Sequence, residues 1–186
     1  MKLEDYIMCI PTLDGNTCKE IITEIDKYEW NTHTFAYHGN KVIKDESYKP
    51  CQMLDDTIKD RIIIDALYSS IAHYVREKGN EYFKGWAGYT AIKYNKYTTG
   101  ASMVKHADHI HSIFENELGT PTGIPILSVI GVLNDDYEGG EIEMFENTKI
   151  KPQTGDVLIF PSNFLYPHKV CEVTKGTRYS FVSWVY

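Results

Sequence analysis

From about Tyr89 to the C-terminus the chain reads as one short strand-like run after another, and this serial pattern constrains its fold most. "YTAIKYNKY" is followed by "TTG" and "IPILSVIGVLN" by "DDYEGG"; then come "EIEMF", "GDVLIF", "HKVCEV" and "RYSFVSWVY". β-branched and aromatic residues fill the runs, and Gly, Pro, Asn and Asp separate them. Many short strands in series predict a sandwich or jelly roll, in which two sheets face each other across a core.

The first half has a different period. Cys18, Ile21, Ile22, Ile25 and Tyr28 recur at helical spacing after the turn-and-cap cluster "LDGN". A second helix is predicted from near Asp55 or Asp56, with Ile64, Leu67, Ile71 and Tyr74 along its buried face and Gly79 at its end. The fold class expected is therefore mainly β with N-terminal helices: a double-stranded β-helix (jelly roll, cupin-like) supported by helices on one face. A chain of 186 residues is most simply a single domain over 1–186. Helical support would occupy about 1–88 and the jelly-roll core about 89–186.

Charge and cysteine usage remove several classes of function. A net charge of -7 argues against a sequence-independent grip on nucleic acid, which needs clustered Lys and Arg. Cys9, Cys18, Cys51 and Cys171 are scattered with no CxxC spacing, so they predict neither a zinc framework nor a redox pair. Reduced thiols in a cytosolic setting are the default. "MKLEDYIMCIPTLDG" carries acidic residues where a signal peptide would be apolar, and no run approaches the roughly 20 apolar residues of a membrane span. The expectation is a cytoplasmic protein with no membrane and no nucleic-acid partner.

The chemistry concentrates in "KHADHIH", which holds His106, Asp108, His109 and His111. Taken alone, this is a solvated polar loop. His168, about sixty residues further on in "FPSNFLYPHKV", changes that reading. His106, Asp108 and His168 make two imidazoles and one carboxylate, the ligand set of non-haem Fe(II) oxygenases. Three ligands on one face of an octahedron leave the opposite face open for co-substrate and dioxygen. A bare HxD…H pattern also recurs by chance. Arg178 adds weight: its planar fork of donors suits a carboxylate, although a surface Asp or Glu could equally be its partner.

Together "YTTGASMVKHAD", "LNDDYEGGEIEMF", "KPQTGDVLIFPS" and "HKVCEVTKGTRYSFVSW" resemble the prolyl 4-hydroxylase-like group of 2-oxoglutarate- and Fe(II)-dependent dioxygenases. The resemblance covers roughly residues 89 to 186. It implies His106, Asp108 and His168 as iron ligands and Arg178 as the partner of the distal carboxylate of 2-oxoglutarate. It implies Tyr97 as a further hydrogen bond to that carboxylate; a core tyrosine is the other reading. Tyr94 would join the same pocket only if the strand bends or bulges, because alternation puts it on the opposite face from Tyr97. Trp184 matches a tryptophan on the substrate side of the iron, and is otherwise a core aromatic. His109 and His111 are read as loop residues. Asn134, Asp135, Asp136 and Glu138 are read as a solvated turn, with Gly139 and Gly140 permitting a tight backbone path.

The cofactors implied are Fe(II), 2-oxoglutarate and O2, with ascorbate as reductant. The reaction implied is oxidative decarboxylation of 2-oxoglutarate to succinate and carbon dioxide, coupled to hydroxylation of a substrate C–H bond. A prolyl residue in a peptide or protein is the first substrate class. Two departures weaken it: Met103 stands where these enzymes commonly carry a tyrosine, and "PILSVIGVLN" lacks an arginine they commonly have. The alternatives are a free amino acid or other small molecule, or a non-catalytic jelly-roll binding module. "RYSFVS" also lacks the second arginine of the nucleic-acid-repair branch.

Overall fold

The structure, a computed structural model, describes residues 2–33, 35–37, 41–43, 49–55, 61–79, 83, 85–108, 114–115 and 121–186. Its first half carries β1 (Met8–Pro11), α1 (Gly15–Ile25), β2 (Asn31–Thr32), β3 (Phe35–Tyr37), β4 (Lys41–Ile43), β5 (Lys49–Pro50), β6 (Gln52–Asp55) and α2 (Arg61–Lys78). β7 (Lys93–Thr98), β8 (Ala101–His106), β9 (Phe114–Glu115), β10 (Pro121–Gly123), β11 (Leu127–Val132) and β12 (Glu138–Gly139) follow. The chain ends with β13 (Ile142–Met144), β14 (Thr148–Ile150), β15 (Asp156–Pro161), β16 (His168–Val170), β17 (Val173–Lys175) and β18 (Thr177–Val185).

The start of α1 is set by side-chain chemistry. The Asp14 carboxylate accepts from the backbone N–H of Asn16 and Thr17, satisfying two donors that an α-helix leaves orphaned at its start. Cys18, Ile21 and Ile25 are the buried stripe of α1, whereas Tyr28 lies beyond its end and is exposed. In α2 the buried face is Ile63, Ala66, Leu67, Ser70, Ile71 and Tyr74, with Ile64 half-buried beside it. Gly79 follows the last helical residue, as expected. Of the expected start near Asp55 or Asp56, Asp55 is corrected to the last residue of β6, and Asp56 lies outside the described residues, which resume at Arg61 inside α2.

A seven-stranded sheet in the order β1-β15-β11-β18-β7-β6-β2 faces a five-stranded sheet in the order β14-β13-β16-β8-β5. Every pairing in them is antiparallel except β5 with β8. Alternation gives the large sheet two faces. Tyr94, Leu127, Val129, Val157, Ile159, Phe181 and Val185 point outward and form one core with Ile25, Ile63, Leu67 and Ile71 of the helices. The opposite face packs on the small sheet in two separate clusters. One holds Cys51, Tyr97, Met103 and Val170; the other holds Ile130, Ile142, Leu158 and Phe160. This is the expected jelly-roll sandwich with two helices covering one sheet. Among the described residues no helix is long and apolar enough to cross a membrane.

The edge of the sandwich is closed by one extended segment. Lys49 and Pro50 pair with β8 of the small sheet, and Gln52–Asp55 pair with β7 of the large sheet. Cys51 is the corner at which the chain passes from one sheet to the other.

Candidate metal and co-substrate site

Between the two apolar clusters runs a strip of buried polar side chains: Asn95, Ser128, Ser162, His168, Arg178 and Ser180. Burying polar groups between two sheets is unfavourable unless each finds a partner, so a strip of this kind marks a place where the core is built to hold something.

At one end lie His106, Asp108 and His168. His106 is the last residue of β8, His168 the first of β16, and the two are directly paired across the small sheet. Here the register shifts: three residues of β16, His168 to Val170, oppose four of β8, Met103 to His106. This bulge reverses the alternation of β8, so that Met103 and His106 both face the interior despite their odd spacing. The His106 and His168 rings lie 4.5 Å apart. Asp108 Oδ1 is 3.4 Å from His106 Nε2, and its Oδ2 is 3.7 Å from His168 Nε2. All the ligand atoms fall within 4.8 Å of one another, and no other such group occurs among the described residues.

The protonation of this cluster suits a cation. His106 Nδ1 is 2.7 Å from the Val104 carbonyl and His168 Nδ1 is 3.1 Å from the Tyr166 carbonyl. A carbonyl only accepts, so each Nδ1 carries the hydrogen, and in the neutral ring each Nε2 presents its lone pair to the cluster. Burial works to raise the Asp108 carboxyl, but the two imidazoles and the Ser128 hydroxyl outweigh it and hold it below the usual carboxylate range. Burial lowers His168. It acts the same way on His106, but there the hydrogen bond and charge of Asp108 prevail and raise it. An anionic carboxylate facing two Nε2 atoms is a site a divalent metal would complete.

Asp108 is itself held. Ser128 donates to its Oδ2 at 2.7 Å. A hydroxyl has one hydrogen, so in the 2.9 Å contact between Ser128 and Ser162 the donor is Ser162. A Ser162–Ser128–Asp108 chain thus fixes the carboxylate from β11 and the residue that follows β15. Partners of this kind orient metal ligands, and losing one typically costs about 10- to 100-fold in metal affinity. Ser128→Ala is expected to weaken Mn(II) binding by roughly that factor without unfolding the protein. Titration of Mn(II) by calorimetry checks it, and an unchanged affinity would assign Ser128 to packing alone.

At the other end of the strip is Arg178, only 1% exposed and the largest fully buried side chain of the described residues. Its Nη1 donates to Ser180 Oγ at 2.9 Å, and its guanidinium carbon lies 5.0 Å from the Tyr97 ring. Nε and Nη2 are buried and have no hydrogen-bond partner among the described residues. A surface carboxylate is therefore not what Arg178 serves. A buried cation with open donors needs an anion, and the fork fits a carboxylate.

The surroundings are shaped around Arg178. Gly139 and Gly140 have φ of +74° and +66°. A Cβ on Gly140 would stand 3.2 Å from Arg178 Cδ and 2.9 Å from the Tyr137 ring, so this glycine leaves room for the arginine as well as turning the chain. Asn134 is more than a solvated turn residue. Its amide accepts from Tyr179 N and donates to the Thr177 carbonyl, both at 2.7 Å, bracketing the backbone on either side of Arg178.

Tyr97 is opposite Arg178 in the β7–β18 register and shares its face. Tyr94 does not, which corrects the expectation that placed it in the same pocket. The register from Lys93 to Thr98 runs without a bulge, so alternation sends Tyr94 to the helix-facing core opposite Phe181. Trp184 is half-buried and pairs with Ser128, whose hydroxyl touches Asp108; alternation puts its ring on the metal side of the sheet. His109 and His111 lie outside the described residues. Ser128, Ser162, Ser180, Asn95 and Cys51 escaped the sequence reading. Asn95 and Ser180 were detectable, since they lie two residues from Tyr97 and Arg178 and so share their inward face.

Comparison with known proteins agrees with this architecture. A PKHD-type hydroxylase of Prochlorococcus marinus is 28% identical over 173 residues, covering 91% of this chain and 68% of that protein. One of Pseudomonas fluorescens is 36% identical over 100 residues, 48% of this chain and 40% of the relative's length. The fold matches a viral collagen prolyl hydroxylase from Paramecium Bursaria Chlorella virus-1, solved with 2-oxoglutarate, at a TM-score of 0.68, 16% identity and coverage of 97% and 94% of the two chains. It also matches a prolyl hydroxylase from Trichoplax adhaerens, solved with a hypoxia inducible factor peptide, at a TM-score of 0.69, 18% identity and coverage of 97% and 83%. The profile of the 2OG-Fe(II) oxygenase superfamily matches residues 92–186, the segment that carries every residue of the site from Tyr97 to Trp184. The chain thus belongs to the 2OG-Fe(II) oxygenase superfamily, as a 2-oxoglutarate-dependent dioxygenase.

Proposed function

We propose that this protein, as one catalytic domain, hydroxylates a prolyl residue of a peptide or protein substrate and turns 2-oxoglutarate into succinate and carbon dioxide. The observation that carries this reading is the buried Arg178, whose Nε and Nη2 have no partner among the described residues, on the same sheet face as Ser128, the residue that donates to Asp108 of the metal-ready cluster. In it, His106, Asp108 and His168 hold Fe(II), and Arg178 with Tyr97 holds the distal carboxylate of 2-oxoglutarate. When bound, the iron and co-substrate supply the oxidising chemistry, in which one atom of O2 enters succinate and the other enters the product alcohol. Ascorbate serves as reductant.

The chain's own work is positional. Three side chains drawn from two paired strands and the segment after β8 would hold the metal between them. Ser128 and Ser162 keep Asp108 oriented and anionic. The apolar clusters on either side of the strip keep water away from it, which strengthens the pull of Arg178 on a carboxylate. Trp184, beside Ser128, forms the wall on the substrate side.

The two departures at the substrate side bear on which peptide is accepted. Met103 is buried against Tyr97 and Val170, and every residue of β11 is buried with no arginine among them. Collagen-like or proline-repeat peptides are therefore expected to be poor substrates beside the true one. The test is succinate formation with Fe(II), 2-oxoglutarate and ascorbate, coupled to a peptide-library screen by mass for one added oxygen. Efficient hydroxylation of a generic proline-repeat peptide would overturn the prediction. Oxygen added only to free amino acids or other small molecules would overturn the peptide assignment.

A further inference from the structure

We propose that Cys51, contributed by the N-terminal half, is a positioning residue for the co-substrate: its buried thiol holds the Tyr97 phenol toward the carboxylate that Arg178 awaits. This rests on the assignment of the Arg178 pocket to 2-oxoglutarate and adds a residue to it from outside the matched segment.

The placement follows from the fold. Gln52 pairs with Lys96, and the next pair along the strands would be Cys51 with Tyr97, which in turn lies opposite Arg178. Cys51, Tyr97 and Arg178 therefore form one row across three neighbouring strands, all facing the small sheet. The corner at Cys51 is pinned from both sides: Lys49 and Pro50 are tied to β8, and the Cys51 carbonyl accepts from His33 N at 2.9 Å. The thiol is 1% exposed, packed among Tyr97, Ala101, Met103 and Val170, and hydrogen-bonded to Tyr97.

The chemistry of the thiol narrows its role. Burial pushes it up to about 12, against which the Tyr97 hydrogen bond and the Arg178 charge work only partly. It remains S–H at any working pH, so it is neither a nucleophile nor a metal ligand. What it can do is hydrogen-bond. Without a ligand the phenol O–H donates to the sulfur, the direction in which that bond favours the thiolate; once the phenol turns its hydrogen to a carboxylate, which only accepts, its oxygen accepts from the thiol S–H. The row then reads Cys51 S–H to Tyr97 O–H to carboxylate, each bond polarising the next. At the far end, the open Nε and Nη2 of Arg178 are the donors such an anion would take.

The test is direct titration of 2-oxoglutarate by calorimetry on protein loaded with Mn(II), which binds without turnover. Cys51→Ala is expected to raise the Kd about 5-fold, the effect of one net hydrogen bond. Cys51→Ser should recover most of that loss, because a hydroxyl keeps the donor. Cys51→Val, which fills the corner without one, should not, and it stands in for alanine if that variant fails to fold. In a Tyr97→Phe background the Cys51→Ala penalty should vanish, since the partner is already gone. An unchanged Kd in both Cys51→Ala and Cys51→Val, or an equal penalty with and without the Tyr97 hydroxyl, overturns the proposal and leaves Cys51 as packing. Arg178→Ala in the same titration separates the two layers. If it too leaves the Kd unchanged, the co-substrate assignment falls; if it weakens binding while the Cys51 variants do not, only this inference falls.

Discussion

Arg178→Ala should raise the Kd and KM for 2-oxoglutarate by about 30-fold to several-thousand-fold, the loss expected when one side of a buried charge pair is truncated at about 2–5 kcal/mol. The reason lies in what surrounds Arg178. Its Nη1 is committed to Ser180, the guanidinium sits against the Tyr97 ring, and Nε and Nη2 are open. Without the fork, a dicarboxylate would enter a half-dry pocket whose other donors are neutral. Fe(II) or Mn(II) binding should change little, because no metal-binding side chain is touched. Arg178→Lys should recover only part of the loss, since an ammonium keeps the charge but not the planar fork.

Stability gives a second readout of the same variant. Among the described residues the buried guanidinium has no anion beside it, a costly state that ligand relieves. At a concentration near 100 times the Kd, 2-oxoglutarate should stabilise the wild-type fold by about 2.7 kcal/mol. Arg178→Ala should gain far less at that concentration, while its ligand-free Tm stays near or above wild type. A normal Kd and a normal ligand-induced Tm shift in Arg178→Ala would remove this residue from the site and favour a jelly-roll binding module over an enzyme.

Asp108→Ala and His106→Ala should each abolish turnover, measured as succinate formed, while wild-type protein binds one equivalent of Fe(II) or Mn(II) per chain. The fold should survive. The helix-backed core and both inter-sheet clusters are apolar and contain none of these residues, so the site does not close the structure as a zinc finger closes its own. Asp108 has the larger expected effect on metal affinity, because it is the cluster's single anion and touches both imidazoles. Circular dichroism checks the fold, and calorimetry with Mn(II) checks the metal. Near wild-type succinate production by either variant would show that the HxD pair is not the metal site.

Much of this was legible in the linear chain, and for local reasons. The α1 cap at Asp14 and the buried stripes of both helices follow from spacing and capping chemistry that act within one or two turns. The strand series after Tyr89 follows from residue types that suit a pleated, half-buried surface, broken by residues that turn the chain. His106, Asp108, His168 and Arg178 stood out as candidates because ligand chemistry is a property of the side chain, whatever surrounds it. Alternation within one strand even warned that Tyr94 and Tyr97 would part, and they do.

What the sequence left open depended on which strands become neighbours. Alternation alone would turn His106 away from Met103; the bulge opposite His168 and Val170 brings it back inside, and a bulge exists only between paired strands. Ser128 and Ser162 are unremarkable serines in apolar runs until β11 lies beside β15 and Asp108 reaches over them. Cys51 is one of four scattered cysteines until the segment around it crosses from the small sheet to the large one. Side-chain chemistry and period are written residue by residue, but which groups share a pocket is set by the cross-strand register, and register is fixed by burying the right face of every strand at once.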